Sequence, residues 1–292
     1  MLEQFEAHLE SSALASATVI NYLADLRAFL RWCEKKYGSG PEGAVSPNGQ
    51  PFDLGVSDIE SFCTYLQETK NQVPATVNRR IQTLRKFYDF AVEQGWTSSN
   101  PASEVQLLTE VVSERTRSLT ADDISRLLAA VRRAPSRRAA RDWAIIQILL
   151  GAGLKLGELT ELYLADVRLE TDRPHLCVRS PAEEPVRFVP LEAEVCVALR
   201  AYLPKRQASP GVEHLFVNRD GNPLSTRTVQ RLLHQYARTA GLDSLTSQAL
   251  RYVYATRLYE ECGDLDTVAH RLGHRHLATT IRYLRSSAPG EE

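Results

Sequence analysis

The sequence contains no run of 18 or more apolar residues, and Met1-Leu2-Glu3-Gln4-Phe5 puts no basic stretch ahead of an apolar one. Neither a membrane-spanning helix nor a secretory leader is expected from such a pattern. The cysteines Cys33, Cys63, Cys177, Cys196 and Cys262 are odd in number, scattered, and form no C-x-x-C pair. That spacing argues against a zinc site and a disulfide framework, and it fits a reducing cytosol. Net charge is nearly absent, at −1, so the chain lacks the strongly basic total that most simply marks a nucleic-acid binder. Internal repeats and low-complexity tracts are missing too.

What remains is an ordinary globular composition, 43% hydrophobic and 24% charged over 292 residues, enough chain for two domains with separate cores. Charge is unevenly spread. Residues 1–105 carry nine Lys/Arg against thirteen Asp/Glu, a net of −4, and residues 106–292 carry 26 against 23, a net of +3. Phosphate binding depends on a basic face more than on a basic total, so the clusters matter more than the sum.

Hydrophobic periodicity predicts a helical first domain. Leu14, Val19, Tyr22, Leu23, Leu26, Phe29, Leu30 and Cys33 recur near a 3.6-residue period over residues 14–36, with Ser16 or Thr18 as cap. Tyr22 and Phe29 are read as core and not as stacking platforms. A loop follows from Ser39 to Gly55. Ser57 and Glu60 have capping-box spacing for a helix to about Glu68, and a further helix spans Ala75 to Gln94, closed by Gly95. Asn100-Pro101 ends the domain and the polar stretch Ser113–Ser118 reads as linker, giving domains at 1–105 and 119–292 with residues 106–118 between them.

In the second domain Thr120 to Asp123 caps a new helix, and Asp142–Leu150 forms another that breaks at Gly151-Ala152-Gly153. Residues 158–164 add a short helical stretch. The β-prone runs His175–Arg179 and Val186–Leu191 predict a hairpin turning at Pro181–Pro185. Helices return over Glu192–Leu203, Thr226–Ala240, Gln248–Glu261 and Leu265–Leu272. The fold class expected is mainly α with a small β-sheet.

Four segments carry a family resemblance. Leu245-Thr246-Ser247-Gln248-Ala249-Leu250-Arg251-Tyr252-Val253-Tyr254-Ala255-Thr256 is similar to an H-x-L-R-H-T-F-A-T segment. Leu272-Gly273-His274 with Thr279-Thr280-Ile281-Arg282-Tyr283 resembles an L-G-H…T-T-x-x-Y ending. Gly153-Leu154-Lys155-Leu156-Gly157-Glu158-Leu159 resembles G-L-R-x-x-E-L. In the first domain, Ala75-Thr76-Val77-Asn78-Arg79-Arg80, Leu84-Arg85, Phe87-Tyr88 and Asn100-Pro101 look like core-binding helices. Together they resemble the tyrosine recombinase (phage integrase) family, with a layout nearest the Xer type.

The resemblance implies a helical SAM-like core-binding domain followed by an α+β catalytic-type domain, the two clamping double-stranded DNA in a C shape. It also implies strand transfer without metal or cofactor, in which a tyrosine attacks a backbone phosphate, leaving a 3′-phosphotyrosyl link and a free 5′-hydroxyl. Tyr283 occupies the nucleophile position, Arg251 the second family arginine and His274 the phosphate-bonding histidine. Partners implied are duplex DNA and either a homo-oligomer on DNA or a second recombinase.

Three positions depart from the pattern. Lys155 stands where the family has its first arginine, and a lysine is a point charge without the planar two-oxygen fork. Gln248 replaces a histidine; it hydrogen-bonds but does not transfer a proton. The hairpin lysine that protonates the leaving oxygen is replaced by Ala182, followed by Glu183 and Glu184; Arg179 and Arg187 are nearby cations, but a guanidinium is a poor acid at neutral pH. These changes predict weakened or lost strand transfer. The alternatives are a working recombinase with substitute groups, or a protein-interaction module on the same fold.

Nine residues, Leu284 to Glu292, follow Tyr283. Many family members carry a longer C-terminal helix that docks into a neighbouring subunit, so the usual cyclic tetramer is not expected. Candidate DNA contacts are Arg79, Arg80, Arg85 and Lys86 on one helix, where Arg79 and Lys86 share a face. The dense run Arg132, Arg133, Arg137, Arg138 and Arg141 offers phosphate contacts, and Arg227 with Arg231, one helical turn apart, offers more.

Overall fold

The computed structural model describes residues 1–12, 14, 16–38, 54–109, 119–134, 138–180, 183–242 and 245–285. The Ser113–Ser118 linker, Arg137 and Ala182 lie outside them, as does most of the loop from Ser39 to Gly55. The chain divides into two compact units, Met1–Ser113 and Glu114–Glu292.

The first unit opens with helix α1 (Leu2–Ser11), which the periodicity reading omitted although Leu2, Phe5 and Leu9 share a helical face. Phe5 is fully buried, 5.3 Å edge-on to Phe87. Helix α2 (Ser16–Tyr37) buries Leu23, Leu26, Phe29 and Cys33, with Tyr22 packed at the core margin.

Helix α3 (Val56–Thr64) corrects the expected cap. Gly55 precedes it in extended backbone, and Asp58 reaches back to accept from the Gly55 N–H at 2.9 Å. Ser57 is thus inside the first turn; the shorter carboxylate three residues after Gly55 takes the role assigned to Glu60. The chain continues as a π-helical turn over Tyr65–Thr69.

Helix α4 (Pro74–Glu93) starts on a proline, whose missing N–H costs nothing in a first turn, and Gly95 follows its end at φ +70°. Asn100-Pro101 does not end the packing. The Asn100 side chain caps a four-residue helix α5 (Pro101–Glu104), which buries Ala102 and is followed by buried Val105. Asn78 then exchanges two hydrogen bonds with the Leu108 backbone, at 2.9 and 2.8 Å.

In the second unit Thr120 and Asp123 form a reciprocal capping box for α6 (Ala121–Arg133). Helix α7 (Ala139–Gly151) is buried on nearly every side, Ile145, Ile146, Ile148 and Leu149 being inaccessible. A short α8 (Leu156–Thr160) and a 3-10 turn (Leu164–Asp166) lead to a sheet of order β1-β2-β3, all antiparallel: β1 (Val167–Arg168), β2 (His175–Ser180) and β3 (Glu183–Pro190).

The strands run further than expected. A register shift between Val178 and Ser180 brings Ser180 opposite Glu183, and Pro185, expected in the turn, lies within β3. That strand is at the edge of the sheet, where a missing N–H is tolerated.

Helices α9 (Ala193–Tyr202), α10 (Thr226–Thr239), α11 (Ser247–Cys262), α12 (Leu265–Leu272) and α13 (Leu277–Arg285) complete the unit. Ser225, Thr246 and Asp264 cap α10, α11 and α12 with side-chain oxygens. Tyr254, Ala255, Leu258, Val268, Leu272 and Tyr283 form a small apolar cluster of α11, α12 and α13, distinct from the main core under α7 and α9. No helix among the described residues is long and apolar enough to cross a membrane.

Candidate active site

Four segments converge at the edge of that small cluster: the turn between α7 and α8, strand β3, the first turns of α11, and the segment from α12 to α13. Two glycines permit the approach. Gly153 (φ +58°) leaves room for Tyr254, whose ring would lie 2.2 Å from an added Cβ, and Gly273 (φ +66°) ends α12 against the Arg187 guanidinium, 2.8 Å from one. Both conformations are ones that L side chains rarely adopt.

Arg251 is at the centre, 3% exposed. Nη1 donates to the Gly153 carbonyl at 2.6 Å and Nη2 to the Leu272 carbonyl at 2.5 Å. Nη2 also lies 3.2 Å from Nε2 of His274, and Nη1 lies 3.9 Å from Glu158. The guanidinium therefore ties two turns together. Glu261, near Arg251 in sequence, instead faces Arg257 at 3.8 Å.

Glu158 is the acid around which the cations gather. It accepts both terminal nitrogens of Arg187, at 2.8 and 2.7 Å, and the Lys155 backbone N–H at 2.7 Å. Burial pushes its pKa upward, but the hydrogen bonds and charge of Arg187 outweigh that and hold the carboxyl below its usual range. Arg187 also donates through Nε to the Arg271 carbonyl at 3.1 Å.

Lys155 stands at the rim with a side chain 55% exposed, its Nζ 3.7 Å from Glu158 and 3.5 Å from the Gly273 carbonyl. Partial burial lowers its pKa, a shift to which the Arg251 and Arg187 charges add. Arg179, the other cation of the hairpin, turns away to pair with Asp166 at 2.8 Å.

His274 is half-buried, with Nδ1 2.9 Å from the Thr280 hydroxyl. Burial, then the positive charges of Arg251, Lys155 and Arg187, push its pKa down to about 4, so the ring is neutral at pH 7. Tyr283 is 8% exposed, stacked on Tyr252 at 3.8 Å and edge-on to His274 at 5.4 Å. Its hydroxyl donates to the Gln248 carbonyl at 3.5 Å. Burial drives its pKa well above the usual phenol value, with Arg251 opposing. The Gln248 side chain is exposed, and it is the backbone of this residue that meets the tyrosine.

The structure thus brings Tyr283, Arg251, His274 and Lys155 together, with Gln248 at the margin. Ala182 lies outside the described residues, as do the side chains of Glu183 and Glu184. Glu158 and Thr280 belong to the cluster although the motif reading assigned them no role; the available signal was their place inside the quoted G-L-K-L-G-E-L and T-T-I-R-Y segments.

The basic candidates divide by position. In α4, Arg79 hydrogen-bonds both carboxylate oxygens of buried Asp25, and Arg80 lies 3.5 Å from the same group. Arg85 donates to the carbonyls of Ala102 and Val105 at 3.0 and 2.8 Å, fastening α5 to α4. Lys86 is half-buried. Arg132 covers the Trp143 ring at 4.6 Å, and Arg141 is buried against Asp142 and the Val217 carbonyl. Arg133 and Arg138 are exposed. Arg227 and Arg231 are exposed on α10 and line one open groove with His234 and Arg238.

A buried arginine, a neutral histidine and a tyrosine gathered in one cluster are the parts of a phosphoryl-handling site. Residues 117–289 match the phage integrase family and residues 1–98 match the phage integrase N-terminal SAM-like domain; the chain belongs to that family, the tyrosine recombinases, with an Xer-like layout. It is 33% identical over 239 residues to a tyrosine recombinase XerC of Alcanivorax borkumensis (strain ATCC 700651 / DSM 11573 / NCIMB 13689 / SK2), covering 80% of this chain and 76% of that protein. It is 28% identical over 295 residues to a tyrosine recombinase XerC of Roseiflexus sp. (strain RS-1), covering 97% and 89%. Among solved structures, a lambda integrase (75-356) dimer bound to a COC' core site shares the fold with a TM-score of 0.73, at 21% identity, covering all of this chain and 96% of that one.

Proposed function

We propose that the chain is a duplex-DNA-binding tyrosine recombinase whose strand transfer is weakened. The observation that carries this reading is the cluster itself: Tyr283, Arg251 and His274 within one site, with a lysine at its rim and with burial moving the phenol up and the histidine down, both away from neutrality. In the reaction, the Tyr283 oxygen bonds to phosphorus, the bond from phosphorus to the 5′-oxygen breaks, and that oxygen takes up a proton as the phenol loses one. Arg251 neutralises phosphate charge, with Lys155 as a second, non-planar cation.

Slowness follows from the acid–base side. Proton transfer is most effective when the group's pKa lies near the working pH. Here the phenol is held far above neutrality and the histidine at about 4, and Gln248 transfers no proton. Each positioned acid or base commonly contributes about 10²–10⁴-fold, so the rate is expected to fall by at least that order, with losses that do not simply multiply. Full activity is the second reading; it is favoured by the three cations, Arg251, Lys155 and Arg187, around one centre, and by relatives named as recombinases.

Covalent trapping tests both. The protein and a Tyr283→Phe control are incubated with fragmented DNA of the source genome and denatured, and protein-linked DNA is sequenced. A sparse adduct that depends on Tyr283, together with salt-sensitive duplex binding, supports weakened transfer. Abundant adduct from nicked suicide substrates establishes the second reading. Absence of salt-sensitive duplex binding overturns both, because counterion release accompanies phosphate neutralisation.

A further inference from the structure

We infer that Thr280 is a positioning residue for His274: its hydroxyl accepts the Nδ1 proton that the donating Arg251 leaves there, and so holds the ring with the Nε2 lone pair toward the phosphate-binding arginine. The ring has two polar neighbours, the Thr280 hydroxyl at 2.9 Å from Nδ1 and Arg251 Nη2 at 3.2 Å from Nε2. A guanidinium has five N–H donors and no acceptor. Towards Nε2 it only donates, so Nε2 carries a lone pair. The single N–H of the neutral ring is then on Nδ1, and the Thr280 oxygen accepts it.

The surroundings keep the ring in that form. Arg251, Lys155 and Arg187 all face it with positive charge, and Glu158, the one acid that faces it among the described residues, is engaged by Arg187. Thr280 is fully buried and lies on α13, three residues before Tyr283. One hydrogen bond therefore links the helix of the tyrosine to the Arg251 cluster and stabilises the tautomer that Arg251 selects.

The consequence rests on the function proposed above. A phosphate oxygen in the site competes for the N–H of Arg251, and its negative charge raises the affinity of His274 for a proton. Nε2 then takes one proton from solvent and donates to the phosphate, while Nδ1–H stays on Thr280. The ring becomes a donor without turning over.

The tautomer itself is measured without DNA. The full chain is labelled with 15N-histidine at pH 7, and His274 is assigned among the seven histidines by its loss in His274→Gln. Nitrogen shifts are expected to show Nδ1 protonated in the original and in Thr280→Ser. Thr280→Val is expected to move the ratio toward Nε2–H by about threefold or more, since only the hydroxyl acceptor is removed. Nε2–H dominant in the original or in the serine variant overturns the inference, as does a folded valine variant with unchanged shifts. If the valine variant does not fold, the original and serine spectra still decide. Failure of DNA binding would sink the proposed function and leave this result untouched.

Discussion

Four charged side chains in the site compensate one another in a particular order. Glu158 neutralises Arg187 directly, and the remaining positive charge of Arg251 and Lys155 falls on His274. Burial first, and then these charges, keep the histidine neutral in the native state at pH values where it is protonated in the unfolded chain. A depressed histidine pKa means the unfolded state binds more protons between about pH 6.5 and 4. Native stability is therefore full above that window and falls as the pH drops through it. Unfolding free energies measured from pH 7 to 4 are expected to decline more steeply for the original than for His274→Gln. Equal slopes would show that burial and these cations do not hold the ring neutral.

At the scale of elements, the site depends on turns more than on helices. Helices α11, α12 and α13 form a small cluster of their own, and two of the turns that close it use left-handed glycines. Gly263 (φ +65°) ends α11 with nothing within 4 Å of an added Cβ, whereas Gly153 (φ +58°) meets the Tyr254 ring at 2.2 Å. Gly263→Ala therefore measures backbone strain alone, on the order of 1–2 kcal/mol. Gly153→Ala adds displacement of a buried ring, a further cost of about 1–3 kcal/mol. Urea unfolding of the two variants should rank them in that order, and Gly153→Ala should also disturb Arg251, which donates to the Gly153 carbonyl.

At the scale of the whole molecule, net charge hides where cations are free to meet a polyanion. In the first unit Arg79, Arg80 and Arg85 are engaged by Asp25 and by backbone carbonyls. In the second, α10 presents Arg227, Arg231 and Arg238 along an exposed face. Replacing Arg227 and Arg231 together by alanine is expected to weaken duplex binding and flatten the dependence of log K on log salt by about 2. Arg85→Ala is expected to leave that slope unchanged while loosening α5. Fluorescence titrations across a salt series separate the two, and an unchanged slope in the double variant would remove α10 from the DNA-contacting surface.

Local chemistry made much of this legible in the sequence. Capping by Thr120, the helical period of α2 and the β-prone runs of the hairpin are written in neighbouring residues, because caps and faces repeat over a few positions. Fixed motif spacings were enough to nominate Tyr283, Arg251, His274 and Lys155. The α1 helix was also legible, in Leu2, Phe5 and Leu9. Tertiary structure decided the rest, since a long flexible side chain has many partners within reach and its sequence neighbours do not select one. Arg187 meets Glu158 from 29 residues away and Arg251 meets Gly153 from 98. Arg79 and Arg85 turn to Asp25 and α5 for the same reason. Thr280 meets His274 locally, six residues on, but only the packing of α11 brings Arg251 to the other side of the ring, 23 residues away in sequence, and with it the assignment of the proton that the motif leaves open.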